Sequence, residues 1–343
     1  MSKIKLDKKD YQILYQLDLD SRQSDADIGR KTRLSREVVN YRIRNLIRIG
    51  IIERFYTIID TAKFGLNLHK LYLQFQNINR SIEEEIIAFF RENLNFGWIS
   101  TTAGKWDMII GIWCRNAYEF NSVYADFSNK FGKYIMNKAF TILLKAAHYR
   151  KEYLVNKKIA TDSEVTIGLK PEILELDAID VEILKILANN ARIHITEIAK
   201  RIKTTSRIVG YRIKELQRKK IILAFRIALN LNKMNLMFFK AILYLQNTDE
   251  QRIKQVQAHF AAHPNIGWVL YNYGPWEIEI EFEIESFEKF EESIKNLREK
   301  FGDIIRGTET VIMSKEFGGS QYFPGCYSKI DKLYNLSRIP SET

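Results

Sequence analysis

Apolar residues in the first fifty positions recur at steps of three and four, then give way to β-branched runs. Ile13, Leu14 and Leu17 share one face of a helix predicted over Lys8–Asp18. Asp7 stands where an N-cap is needed, with Asp10 three residues on. A short second helix is predicted from about Ser24 to Thr32, with Ile28 turned inward. A third runs from about Ser35 to Ile49, where Val39, Ile43 and Leu46 form the apolar face. Gly50 supplies its C-terminal stop, and Ile51-Ile52 opens a strand through Ile59. Three helices and a strand predict a winged helix-turn-helix. Strands follow at about Lys70–Asn77, Gly97–Ala103, Trp106–Cys114 and Asn137–Tyr149, with helices at Ile82–Asn93 and Ala117–Lys130. That order, βαββαβ, predicts a ferredoxin-like layer with both helices on one face of the sheet. The other face is left needing a cover.

The whole pattern is written twice. Leu6-Asp7, Tyr41-Arg42-Ile43, Gly104 and Phe131-Gly132 return as Leu176-Asp177, Tyr211-Arg212-Ile213, Gly274 and Phe301-Gly302, always 170 residues later. The chain therefore reads as α+β: winged helix-turn-helix domains at 1–60 and 173–230, each followed by a ferredoxin-like effector and dimerisation domain at 61–154 and 231–317. A polar linker is expected at 155–172 and an aromatic-bearing tail at 318–343. A duplicated chain can pair its own halves as a homodimer pairs subunits, so an intrachain pseudo-dimer is expected.

Composition narrows the class. Hydrophobic content of 46% suits a globular protein. No apolar run is long enough to span a bilayer, and the charged start lacks the apolar core of a signal peptide. A soluble, cytoplasmic protein without membrane association is expected. Cys114 and Cys326 have no paired spacing, which argues against a metal cluster or disulfide framework and for two buried or half-buried thiols. No metal or cofactor is expected. The net charge is +11, and it is concentrated. Residues 1–54 carry thirteen Lys or Arg against eight Asp or Glu, and residues 171–226 carry twelve against seven. Both surpluses fall on the predicted helix-turn-helix units, as a polyanionic partner such as double-stranded DNA requires.

On the third helix Arg36, Asn40 and Arg44 project together at steps of four, with Ser35, Tyr41 and Arg48 beside them. Arg can pair with guanine and Asn with adenine in the major groove. Taken alone, a basic face is more often simply solvated. Two such faces at matched positions shift the reading to DNA. The second face carries Ser206, Arg207, Tyr211, Lys214 and Arg218. Arg42 and Arg212 suit either an ion pair with a first-helix acid (Asp10, Asp180) or a phosphate. Arg22 and Arg192 suit either a backbone contact or solvent.

These residues resemble the Lrp/AsnC family of transcription regulators, in tandem. Leu6-Asp7, Asp10, Ile13-Leu14, Arg22, Leu34-Ser35, Val39, Arg42-Ile43, Leu46 and Gly50-Ile51-Ile52 carry the resemblance in the DNA-binding segment, and Gly104-Lys105-Trp106-Asp107 in the sheet domain. The resemblance covers about 3–154 and 173–317. It implies DNA-binding transcriptional control, an amino acid or related small-molecule effector, and sheet-to-sheet dimers that assemble further into homo-oligomers. The second copy departs from the first. Gly210 replaces Asn40, Ser206 replaces Arg36 and Lys214 replaces Arg44, so the second helix is expected to read DNA less specifically. The glycine common in helix-turn-helix turns is missing from both copies.

The loop Thr102, Gly104, Trp106 and Asp107, matched by Gly274, Trp276 and Glu277, is the candidate effector site. Glycine permits close approach to the backbone, and the acid suits an ammonium group. The plainer reading is a hairpin turn with the tryptophan in the core. The next strand places Glu277, Glu279, Glu281, Glu283 and Glu285 on one face by period two. Unpaired and buried they would be prohibitively costly. Such a face is wet, or meets basic groups, or binds a cation or a basic effector; a wet face is the expectation. Two other functions compete with regulation. Sirohaem decarboxylases share this domain pair, but none of His69, His148, His194, His259 and His263 lies near the loop, so no catalytic residues are assigned. An architectural DNA binder is also compatible with the charge.

Overall fold

The computed structural model describes residues 5–93, 96–155, 164–168, 173–246 and 249–317. It is an α+β protein. Helices α1 (Lys8–Leu19), α2 (Asp25–Thr32) and α3 (Arg36–Arg48) are followed by strand β1 (Ile52–Ile59). Then come β2 (Asn67–Phe75), α4 (Arg80–Glu92), β3 (Phe96–Gly104), β4 (Met108–Cys114), α5 (Ala117–Phe131) and β5 (Ile135–His148). A short β6 (Val165–Ile167) pairs with the end of β5, so part of the expected linker is strand. The second half repeats the series as α6 (Ala178–Asn189), α7 (Ile195–Arg201), α8 (Ser206–Arg218), β7 (Ile222–Leu229), β8 (Met237–Leu245), α9 (Glu250–Ala261), β9 (Ile266–Tyr273), β10 (Ile278–Ile284), α10 (Phe287–Phe301) and β11 (Ile305–Phe317). The expected tail and Cys326 lie outside the described residues; Cys114 is buried.

Local signals behave as read. Asp7 accepts from the Asp10 N–H while Asp10 accepts from the Asp7 N–H, a reciprocal cap on α1. Ser35 accepts from the Val38 N–H at the start of α3. Arg33 and Lys203 take φ of 55° and 51° at the turn where a glycine was missed. The turn is thus made with side chains in the left-handed region, at some local cost.

The sheets do more than stack. Each half has the ferredoxin-like strand order, β5-β2-β4-β3 and β11-β8-β10-β9. The long β5 pairs with β2 over its first part and with β9 over its second. Likewise β11 pairs first with β8, then with β3. Two exchanged strands close eight strands into a ring, which leaves neither half an open sheet edge. Helices α4 and α5 cover the first half from outside, and α9 and α10 the second.

The interior is part apolar and part ionic. Tyr72, Trp98, Trp106, Ile109, Trp276 and Val311 pack between the halves. Beside them Lys70, Lys240 and Glu279 are all 0% exposed. Glu279 Oε1 accepts from Lys70 Nζ at 2.5 Å, Trp276 Nε1 at 3.0 Å and Asn272 Nδ2 at 3.1 Å, and Oε2 accepts from Lys240 Nζ at 2.9 Å. Glu281 takes a second ion pair from Lys240, at 3.1 Å. Glu283 accepts from Lys151 and from the Tyr153 hydroxyl. The glutamate face is therefore largely dry and paired with bases, not wet as expected; among these acids only Glu285 is exposed. Burial opposes the charge on Glu279, but the two ammonium groups overcome it and hold its carboxyl well below the usual range. Burial lowers Lys70 to about 8 against the pull of Glu279. Burial also disfavours the charge on Lys240, yet Glu279 and Glu281 together hold it above its ordinary value.

Candidate nucleic-acid interface

Above the ring, β1 and β7 pair antiparallel, with Tyr56 opposite Arg226. These two residues are 170 positions apart, so the local two-fold relation of the halves passes through their pair. Each helix-turn-helix packs on the other half's strand. Ile227 and Leu229 of β7 join the core of α1–α3, and Tyr56 and Ile58 of β1 join that of α6–α8. The Ser21 N–H donates to the Phe225 carbonyl, and the matching Ala191 N–H to the Phe55 carbonyl, both at 3.0 Å.

Arg22 and Arg192 complete this exchange. Arg22 Nη1 donates to the carbonyls of Ala191 at 2.5 Å and Ile193 at 3.1 Å. Arg192 Nη1 donates to those of Ser21 at 2.5 Å and Gln23 at 2.9 Å. Both are half-buried, and each clamps the opposite unit. Arg42 bridges Asp7 and Asp10, each at 2.8 Å, and Arg212 bridges Asp177 at 2.7 Å and Asp180 at 3.4 Å. The ion-pair reading of these two arginines is the one observed.

On α3 the side chains of Arg36, Tyr41, Arg44 and Arg48 are exposed, Tyr41 to 71%. On α8 the same is true of Ser206, Arg207, Tyr211, Lys214 and Arg218. Ser35 caps its helix. Asn40 is a correction: it is half-buried and donates to Asp25 Oδ2 at 2.8 Å, while Asp25 Oδ1 pairs with Arg192. Its side chain is committed to the join between the units. The counterpart of Asp25 is Ile195, and a Cβ on Gly210 would meet only Ile195 Cδ1, at 4.0 Å. Gly210 thus goes with the loss of a junction contact, and the contrast between the helices rests on Arg36 against Ser206 and Arg44 against Lys214. Glu215 adds to it by accepting from Arg218 through both oxygens, whereas Arg48 meets the neutral Asn45. Sequence reading missed Val38 and Ile208, exposed at matched positions in the middle of these faces.

The candidate effector loops are otherwise employed. Trp106 and Trp276 lie buried between the halves. Thr102 Oγ1 donates to the Trp106 carbonyl at 2.6 Å. Asp107 accepts from the Phe75 N–H and Glu277 from the Leu245 N–H, both at 2.7 Å, so each acid caps the end of a neighbouring strand. Gly104 and Gly274 have φ of 127° and 157°. A Cβ there would stand 2.9 Å from the Thr310 carbonyl oxygen and 2.7 Å from that of Phe140. The close approach these glycines permit is that of the exchanged strands. The hairpin-and-core reading accounts for every one of these residues.

Comparison with known proteins agrees with this architecture. Residues 6–53 match a winged helix-turn-helix DNA-binding family, and residues 176–217 match the AsnC-type helix-turn-helix domain. The transcriptional regulator AzlB of Bacillus subtilis is 31% identical over 128 residues, 36% of this chain and 79% of that protein. An uncharacterized HTH-type transcriptional regulator of Pyrococcus abyssi is 27% identical, over 35% of this chain and 81% of its own length. Among solved structures the sirohaem decarboxylase NirDL superimposes with a TM-score of 0.62 over 96% of this chain and 99% of that one. At 10% identity that likeness is one of fold. No helix among the described residues is long and apolar enough to cross a membrane. The chain is a tandem member of the Lrp/AsnC family of DNA-binding transcriptional regulators.

Proposed function

We propose that one chain grips two unlike DNA half-sites, with α3 and α8 in successive major grooves. The supporting observation is the pair of exposed basic helix faces, joined by backbone pairing and arginine contacts about a local two-fold relation yet different in side chain. Arg36 and Arg44 suit bidentate pairing with guanine, and Val38 and Ile208 suit thymine methyl groups. Arg207, Lys214, Arg218 and the two tyrosines suit phosphates and sugars, which position without specifying sequence. The protein acts as a regulator and not as an enzyme in this reading. Selection from random duplexes is expected to return a strong half-site and a degenerate one at fixed separation; a clean palindrome would refute it.

The arginine clamps set that separation. Arg192→Ala leaves the Ser21 and Gln23 carbonyls and Oδ1 of Asp25 without their donor, while Asn40 still holds Asp25 Oδ2. The expected cost is about 1–3 kcal/mol in denaturant unfolding. Duplexes with the half-sites moved one or two base pairs apart should then lose less affinity than they do with the parent. Equal spacing penalties in both proteins would show that the clamps do not govern spacing.

A further inference from the structure

Each third helix turns one row of side chains straight away from its buried core. On α3, Val39, Ile43 and Leu46 are buried. At about 100° per residue the opposite row is Glu37, Tyr41, Arg44 and Arg48. All of these are exposed. On α8 the matching row is Arg207, Tyr211, Lys214 and Arg218, also exposed, opposite Val209, Ile213 and Leu216. The two rows agree in charge except at their first position, where Glu37 stands against Arg207.

Each helix carries one acid, and the two are differently employed. Glu215 of α8 is held by Arg218 at 2.7 Å. Glu37 is bonded locally. Its own N–H and the Ser35 hydroxyl donate to it and hold its carboxyl below the ordinary value, so it is an anion at neutral pH. A carboxylate has about four acceptor positions, so these bonds leave capacity toward the groove. The first turn of a recognition helix faces base edges, between two phosphate backbones. An anion there repels phosphate and the N7 and O6 acceptors of guanine. Adenine offers an amino group with the N7 acceptor beside it, whereas cytosine offers the N4 amino group as a donor.

We propose that Glu37 is a specificity-determining residue of the first helix: its carboxylate accepts from the N4 amino group of one cytosine in the strong half-site and repels duplexes that lack it there. The inference rests on the reading that α3 lies in a major groove, and it names what that groove must present to the start of the helix. Discrimination here comes from repulsion as much as from attraction. Arg207, at the same place on α8, attracts phosphate whatever the sequence, which leaves the second half-site degenerate at that position.

The test is selection from random duplexes with the full chain, followed by competition titration. The parent is expected to return a cytosine opposite the first turn of α3. Glu37→Gln keeps the shape, removes the charge and can pair with adenine through N6 and N7. It should lose the cytosine at that single position, with adenine in its place, and bind the parent's selected duplex about ten-fold less tightly. Random duplexes should bind about three-fold more tightly, the repulsion of one phosphate at about 6 Å through water. The degenerate half-site should stay as in the parent. Arg207→Glu, the reciprocal change, should weaken random binding and bring a cytosine preference into the degenerate half-site. A merely structural role at the start of α3 would weaken all duplexes alike and move no base preference. That outcome, or base preference unchanged by Glu37→Gln, overturns the proposal. If Arg36→Ala and Arg44→Ala also leave base preference unchanged, the major-groove reading itself fails. If they relax it while Glu37→Gln does not, the role of Glu37 alone falls.

Discussion

Glu279→Gln is expected to cost about 3–5 kcal/mol of stability, read from the denaturant midpoint, because it strips a buried pair of lysines of their shared counter-charge. Lys70 and Lys240 occupy the same place in the two halves, and both reach the same carboxylate. The residue matching Glu279 in the first half is Ile109. Replacing the cluster together with Glu281, the other partner of Lys240 (Lys70→Met, Lys240→Met, Glu279→Ile, Glu281→Gln), should restore most of the loss, since apolar groups of similar volume avoid the desolvation cost and no charge is left unpaired. A single variant as stable as the parent would show that the cluster is not energetically important. The acid limb of stability carries the same signature. The folded-state pKa of Glu279 is depressed, so its contribution is fully present above its ordinary value of 4.5 and is lost as pH falls below that value. Glu279→Gln should flatten this limb.

The cluster also bears on which halves pair. Two first halves meeting as subunits would bury two lysines against two isoleucines. Pairing a first half with a second supplies Glu279 to both. Specificity here comes from what the wrong pairing would leave unpaired, and it favours the pseudo-dimer within one chain.

Arg36→Ala and Arg44→Ala should each weaken the selected duplex by about 1–3 kcal/mol, and the double variant by roughly 100-fold or more. Both substitutions should relax base preference in the strong half-site. Lys214→Ala should instead weaken selected and random duplexes alike and reduce the salt slope by about one. Competition titrations at two salt concentrations separate these behaviours. If Lys214→Ala erased base preference while Arg44→Ala left it intact, the roles assigned to the two helices would be reversed.

Some of the interior was legible before the fold was known. Lys240, alone in the apolar run Met237–Leu245, with Lys70 at the matching position of the first copy, is a readable signal of buried charge, and the alternating glutamates are its complement. Matching the two needed the cross-sheet geometry. Asn40 shows the opposite case. Its spacing with Arg36 and Arg44 fits a groove-reading row, but a half-buried position beside Asp25 decides its partner. Period alone places a residue near a helix face and does not say what stands opposite.

Sequence by itself determined the helices and strands, their caps, the duplication and the two basic helix faces, because these follow from periodicity and capping within a few residues. Tertiary structure alone decided the exchange of β5 and β11, the arginine clamps and the sharing of Glu279. Those features join residues up to 209 positions apart, as in the Lys70–Glu279 bond. No local preference encodes such a contact; it exists only once burial makes an unpaired charge or donor too costly to leave alone.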